Sequence, residues 1–183
     1  MNIIVYGDYN ESNNNILQKL YQDLLEQQYT VEFISYQPIV KPKICTHAIM
    51  WNVYCKYKTK TKYRKKIQKF QANNKNKLII VELGFIQRDL YYSLSYNNIA
   101  NLGNFPNIAI NNCRLANLNF TLPSQIESNP EGHLLLCTQV PWDTQVQDID
   151  YISWVITTLR LLQKLTTRQI IIRPHPKHEK NSK

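Results

Sequence analysis

Apolar residues open the chain as an unbroken run. Ile3, Ile4, Val5 and Tyr6 follow one another and the run stops at Gly7. A segment apolar at every position predicts a strand covered on both faces, as in a parallel sheet. The period then changes. Ile16, Leu17, Leu20, Tyr21, Leu24 and Leu25 recur at helical spacing, behind the turn and capping groups Asp8, Asn10 and Ser12. Residues 29–36 alternate like a strand, and residues 37–43 hold two prolines and predict a loop. A third strand is predicted over 47–51, a basic helix from about 56 to 70, and a fourth strand over 77–82.

Residues 87–130 carry no such rhythm. They are rich in Asn, Tyr and Pro and yield no regular element, and 123–132 reads as a linker. The alternation then restarts. A strand is predicted over 134–140. A helix is predicted over 148–165, with Ile149, Ile152, Val155, Ile156, Leu159 and Leu162 on one face. A second strand, 169–173, runs into Pro174-His175-Pro176. Strand and helix alternating in this way predict an α/β fold: a Rossmann-like, mostly parallel sheet with helices on both faces. The expected division is a first domain over 1–125 and the beginning of a second over 130–183. That second part holds barely two strands. A fragment, a truncated product, and a partial sheet packed on the first one all fit.

Composition changes the picture in three ways. Hydrophobic residues at 43% and charged residues at 19% describe a globular chain, not a disordered one. The longest apolar runs are too short for a bilayer, and the start lacks a basic n-region, so the expected location is cytoplasmic, extending to the inner face of the membrane. Cys45, Cys55, Cys113 and Cys137 form no C-x-x-C pair, which disfavours a zinc site or a disulfide framework; no metal is expected. The net charge of +9 suits anionic partners.

In open α/β sheets, ligands bind beyond the carboxyl ends of the strands, and three segments there carry candidate chemistry. In the first, Glu82 ends the fourth strand, Gly84 permits a sharp turn, and Arg88 follows. Glu82 is read either as a desolvated acid–base group or as a strand-end carboxylate paired with Arg88. The second runs from Gln139 to Asp143 and Thr144. Asp143 is a candidate nucleophile or base; taken alone, the segment favours a turn or helix-cap residue. The third is Arg173-Pro174-His175-Pro176-Lys177, where two prolines stiffen an imidazole between cations, an arrangement suited to phosphate. An incidental surface histidine is the plain alternative.

Eight cations, Lys56, Lys58, Lys60, Lys62, Arg64, Lys65, Lys66 and Lys69, crowd one segment with Tyr57, Tyr63 and Phe70 among them. They fit a contact with an anionic membrane or, less well, nucleic acid. A solvated helix face accounts for them equally.

Taken in order, E-x-G-F-x-x-R at 82–88, Q-x-P-x-D-[ST] at 139–144 and [RK]-P-H-P at 173–176 resemble the retaining β-Kdo transferases of bacterial capsular polysaccharide synthesis, and the wider group of capsule-type glycosyltransferases. The resemblance spans roughly residues 78–177. It implies a GT-B arrangement of two Rossmann-like domains, with CMP-Kdo as donor and no other cofactor. It implies that Asp143 is the nucleophile, Glu82 the catalytic acidic residue, and His175 the contact to the donor phosphate. Arg173, Lys177, Gln139 and Thr144 would assist donor binding, with Arg88 and Gly84 in support. The chain departs from the pattern at Leu83 and Asp89.

The sequence thus predicts a glycosyltransferase or a degenerate relative, moving a sugar from a nucleotide donor to a glycan or lipid-linked acceptor. The alternative is a basic nucleic-acid-binding α/β protein without catalysis.

Overall fold

A computed structural model describes residues 1–8, 14–36, 41–55, 57–84, 87–88, 90–99, 103–104 and 129–179. Lys56 and most of the Asn-rich segment 87–130, including most of its 95–119 part, lie outside the described residues. The chain divides into two compact units. The first comprises 1–105 together with 142–147, and the second 106–141 with 148–183.

The first unit is built on a five-stranded sheet. Its strands are β1 (Asn2–Gly7), β2 (Thr30–Ser35), β3 (His47–Trp51), β4 (Lys77–Leu83) and β5 (Tyr92–Tyr96), in the order β2-β1-β3-β4-β5. Helix α1 (Asn14–Glu26) joins β1 to β2, and α2 (Lys58–Asn73) joins β3 to β4. The first four strands are parallel and β5 is antiparallel to β4. The sheet is therefore mixed: an antiparallel edge that the sequence does not predict is added to the parallel strands that it does.

Alternation along the strands sorts the core into two layers. Ile4, Tyr6, Ala48, Met50, Leu78 and Ile80 pack with Tyr63 and Ile67 of α2. Ile3, Val5, Ile49, Trp51 and Val81 pack with Leu17 of α1. The two helices thus cover opposite faces, as the unbroken apolar run of β1 requires. Each helix is followed by a residue in the left-handed region, Gln28 after α1 (φ 62°) and Lys75 after α2 (φ 56°).

The edge strand β5 falls in the segment without legible rhythm, and its burial shows why. Leu94 is 55% exposed while Ser95 is buried. The buried hydroxyl is satisfied by the backbone carbonyl of Asn98. The usual link between polarity and exposure is reversed there.

The second unit contains one βαβ motif. Strands β6 (Leu134–Cys137) and β7 (Ile170–Arg173) pair in parallel, and α3 (Tyr151–Leu165) connects them. Asp150 caps α3: its carboxylate accepts from Ser153 N at 3.1 Å and from Ser153 Oγ at 2.8 Å. Arg168 anchors the entry to β6 by donating to the carbonyls of Gly132 and Asn129. A single turn, α4 (Pro176–Glu179), follows β7. No described helix is long and apolar enough to cross a membrane.

Candidate functional site

The site is assembled where β3 and β4 end. Leu78, Ile80 and Glu82 alternate along β4, so the Glu82 side chain projects on the α2 face of the sheet. Helix α2 begins just after β3, so its first turn lies at this same carboxyl edge.

Asn52 follows the last residue of β3 with φ 23°. Its backbone N–H donates to Val81 O at 3.0 Å, extending the β3–β4 ladder. Its side chain turns the exiting chain. Oδ1 accepts from Val53 N at 2.6 Å and Tyr54 N at 3.2 Å. Asparagine tolerates left-handed backbone better than most residues, partly because its short amide bonds locally in this way. The same amide reaches two further residues. Nδ2 donates to Glu82 Oε1 at 2.8 Å, and Oδ1 also accepts from Thr144 Oγ1 at 3.1 Å.

Thr144 belongs to a 3-10 turn, Thr144–Val146, that folds as part of the first unit although it follows β6 in the chain. Thr144 is buried. Asp143 caps the turn by accepting from Gln145 N at 2.9 Å, so the helix-cap reading of this residue is physically correct. Its charge also acts on Glu82. Burial, above all, pushes the Glu82 carboxyl above the usual range; the like charge of Asp143 pushes the same way, and Arg88 opposes them. Arg88 itself is exposed. The hydrogen bond to Glu82 is made by Asn52, and Arg88 acts on the carboxyl through its charge.

The structure therefore brings Glu82, Asp143 and Thr144 together around Asn52, a residue that no sequence motif singles out. Only its place after an apolar strand and before a helix marks it. Gly84 has an ordinary φ, and the left-handed residue of this turn is Gln87 at 45°. The glycine is required for space, because a Cβ there would lie 2.8 Å from Tyr91 O.

The remaining predicted residues lie in the second unit. Gln139 Oε1 accepts from Val140 N at 2.9 Å, and Gln139 N donates to the Tyr151 hydroxyl at 2.6 Å. The carbonyl of Arg173 accepts from Thr138 N at 3.0 Å. His175 is half-buried, and its Nδ1 accepts from Lys177 N at 3.1 Å.

The basic helix divides by face. Arg64 is 3% exposed and stacks over the Tyr36 ring at 5.1 Å, so it is not part of a surface patch. Lys60 pairs with Asp8 at 3.4 Å, and Lys65 lies over Tyr54 at 4.5 Å. Lys58, Lys62, Lys66 and Lys69 are exposed, and their spacing gathers them on the side of α2 opposite Tyr63 and Ile67. Among the described residues no group of His, Cys, Asp and Glu is placed to hold a metal ion. Comparison with family models, with curated proteins and with solved structures finds no match.

Proposed function

We propose that the chain is a glycosyltransferase-type protein whose acid–base and nucleophilic groups are Glu82 and Asp143. The observation that carries this reading is the convergence of two carboxylates from distant segments at the carboxyl edge of an α/β sheet, one of them half-buried and raised above the usual carboxylate range. Double displacement at a sugar needs such a pair. Asp143 attacks the anomeric carbon, the bond to the donor phosphate breaks, and the phosphate leaves with the electron pair. An acceptor hydroxyl then displaces Asp143 and gives its proton to Glu82. A carboxylate whose proton affinity is raised is the better base for that second step. The sequence resemblance names the donor as a CMP-linked acidic sugar and assigns His175, Arg173, Lys177 and Gln139 to its phosphate; this assignment rests on the resemblance alone.

Titration with CMP and with UDP, followed by thermal unfolding, tests the reading. CMP should raise Tm, and His175→Ala should abolish the rise. With CMP-Kdo, intact-mass measurement should find a sugar adduct that maps to Asp143. No shift with any nucleotide would remove the transferase reading.

The lysine face of α2 supports a second reading, in which the chain binds an anionic surface or nucleic acid without catalysis.

A further inference from the structure

We infer that Asn52 is the positioning residue of the Glu82–Asp143 site: it grips Glu82 by Oε1, ties it to the turn bearing Asp143 through Thr144, and leaves Oε2 to carry the transferred proton. The acid–base role of Glu82 in this statement rests on the transferase proposal.

The neighbours of the amide fix its direction. Val53 N and Tyr54 N can only donate, and both point at the same end of the Asn52 side chain. That end must be the carbonyl oxygen. The other end, the NH2 group, then faces Glu82, and a flipped amide would set two backbone N–H groups against a third donor. The contact with Glu82 Oε1 is therefore obligatorily a donation from Nδ2. An oxygen receiving an N–H is the worse place for a proton. Oε1 is the oxygen that receives the Asn52 N–H, so protonation of Glu82 falls on Oε2.

Asn52 also reaches Asp143, through a neighbour. Thr144 sits next to Asp143 in the chain, and its hydroxyl is the third donor on Oδ1 of Asn52. One amide thus sets both the rotamer of Glu82 and the seat of the turn that Asp143 caps. The left-handed backbone at φ 23° aims the side chain between them. Residues fixed in this way hold reacting groups in register without touching substrate.

The test reads Glu82 directly and needs no substrate. Protein carrying 13C-labelled glutamate is titrated by NMR as wild type, Asn52→Asp and Asn52→Gly. Glycine accepts the left-handed backbone, so Asn52→Gly keeps the fold if the aspartate variant does not. Asn52→Asp keeps the acceptor for Val53 N, Tyr54 N and Thr144 but sets a carboxylate against Glu82. It should move the Glu82 midpoint upward by about one pH unit or more. Asn52→Gly should move it upward by less, since a donor is removed and no charge is added. Midpoints within about 0.3 unit of wild type in both variants would overturn the proposal. A shifted midpoint with no response to CMP would leave the positioning role standing and remove the transferase reading. A CMP response with unmoved midpoints would do the reverse.

Discussion

The hydroxyl of Thr144 donates to Oδ1 of Asn52 at 3.1 Å, across 92 positions of the chain. Thr144 is 3% exposed, so the donor end of the bond is shielded from water. Valine matches threonine in shape and lacks the donor. Thr144→Val should lower stability in urea by about 1 kcal/mol, the net value of one buried hydrogen bond. The effect stays modest because Oδ1 retains two backbone donors. Thr144→Ser keeps the hydroxyl and should retain the bond. Hydrogen exchange at the amides of residues 144–147 should accelerate in the valine variant and much less in the serine variant. Equal acceleration in both would show that the methyl group, and not the hydroxyl, seats this turn.

Glu82 links the site to pH. Its folded carboxyl is held above the usual range by burial and by Asp143, so the protonated form is favoured in the folded chain. The unfolded chain titrates near the ordinary glutamate value. Stability from this group is therefore fully present below that value and is lost as pH rises through the folded one. Glu82→Gln removes the penalty while leaving an oxygen for Asn52 Nδ2. The variant should have the higher Tm at pH 7, and the two curves should approach one another as pH falls below about 4. A variant less stable than wild type at pH 7 would mean that the Asn52 contact outweighs desolvation.

Most of the framework was legible because burial and polarity agree along it. The run Ile3–Tyr6 and the repeat through Leu17 could each be placed from period alone. The antiparallel edge was not legible, since Leu94 faces outward and Ser95 inward. Buried polar residues escaped for a similar reason. Arg64 and Gln71 lie on the inner face of α2, where a count of cations reads surface. Gln71 is satisfied there by donating to Lys43 O at 3.1 Å and accepting from Asn76 Nδ2 at 2.8 Å. For the site, strand ends pointed to Glu82 and the turn chemistry to Asp143. Asn52 was invisible because its role depends on partners 30 and 92 residues away.

Gly84 separates space from flexibility. It donates to Tyr91 O at 2.9 Å, and a Cβ would press on that same oxygen. Because its φ is ordinary, alanine meets no backbone strain of its own. The entire effect of Gly84→Ala should come from pushing Tyr91 away at the base of the β4–β5 connection. Overpacking of this kind costs about 1–3 kcal/mol. The midpoint of urea unfolding should fall accordingly. A change under about 0.5 kcal/mol would show that the connection yields freely.

The two faces of α2 make opposite predictions for substitutions of the same charge. Arg64 is enclosed against Tyr36, so Arg64→Ala removes packing, a cation–π interaction and a hydrogen-bonding group together. The substitution should lower stability by about 1–3 kcal/mol. Lys58, Lys62, Lys66 and Lys69 project from the exposed face. Changing all four to glutamine should leave unfolding within about 0.5 kcal/mol of wild type and slightly relieve like-charge repulsion along the helix. The same variant should bind vesicles containing phosphatidylserine more weakly. Wild-type binding should weaken with salt, because exposed charges are screened within about 10 Å at 0.1 M. A duplex DNA arm distinguishes the partner: every lysine that pairs with a phosphate in wild type should, once replaced, reduce the salt slope by about 0.9. If vesicles and duplex both bind the glutamine variant as tightly as wild type, the lysine face is only a solvated surface, and the non-catalytic reading loses its support.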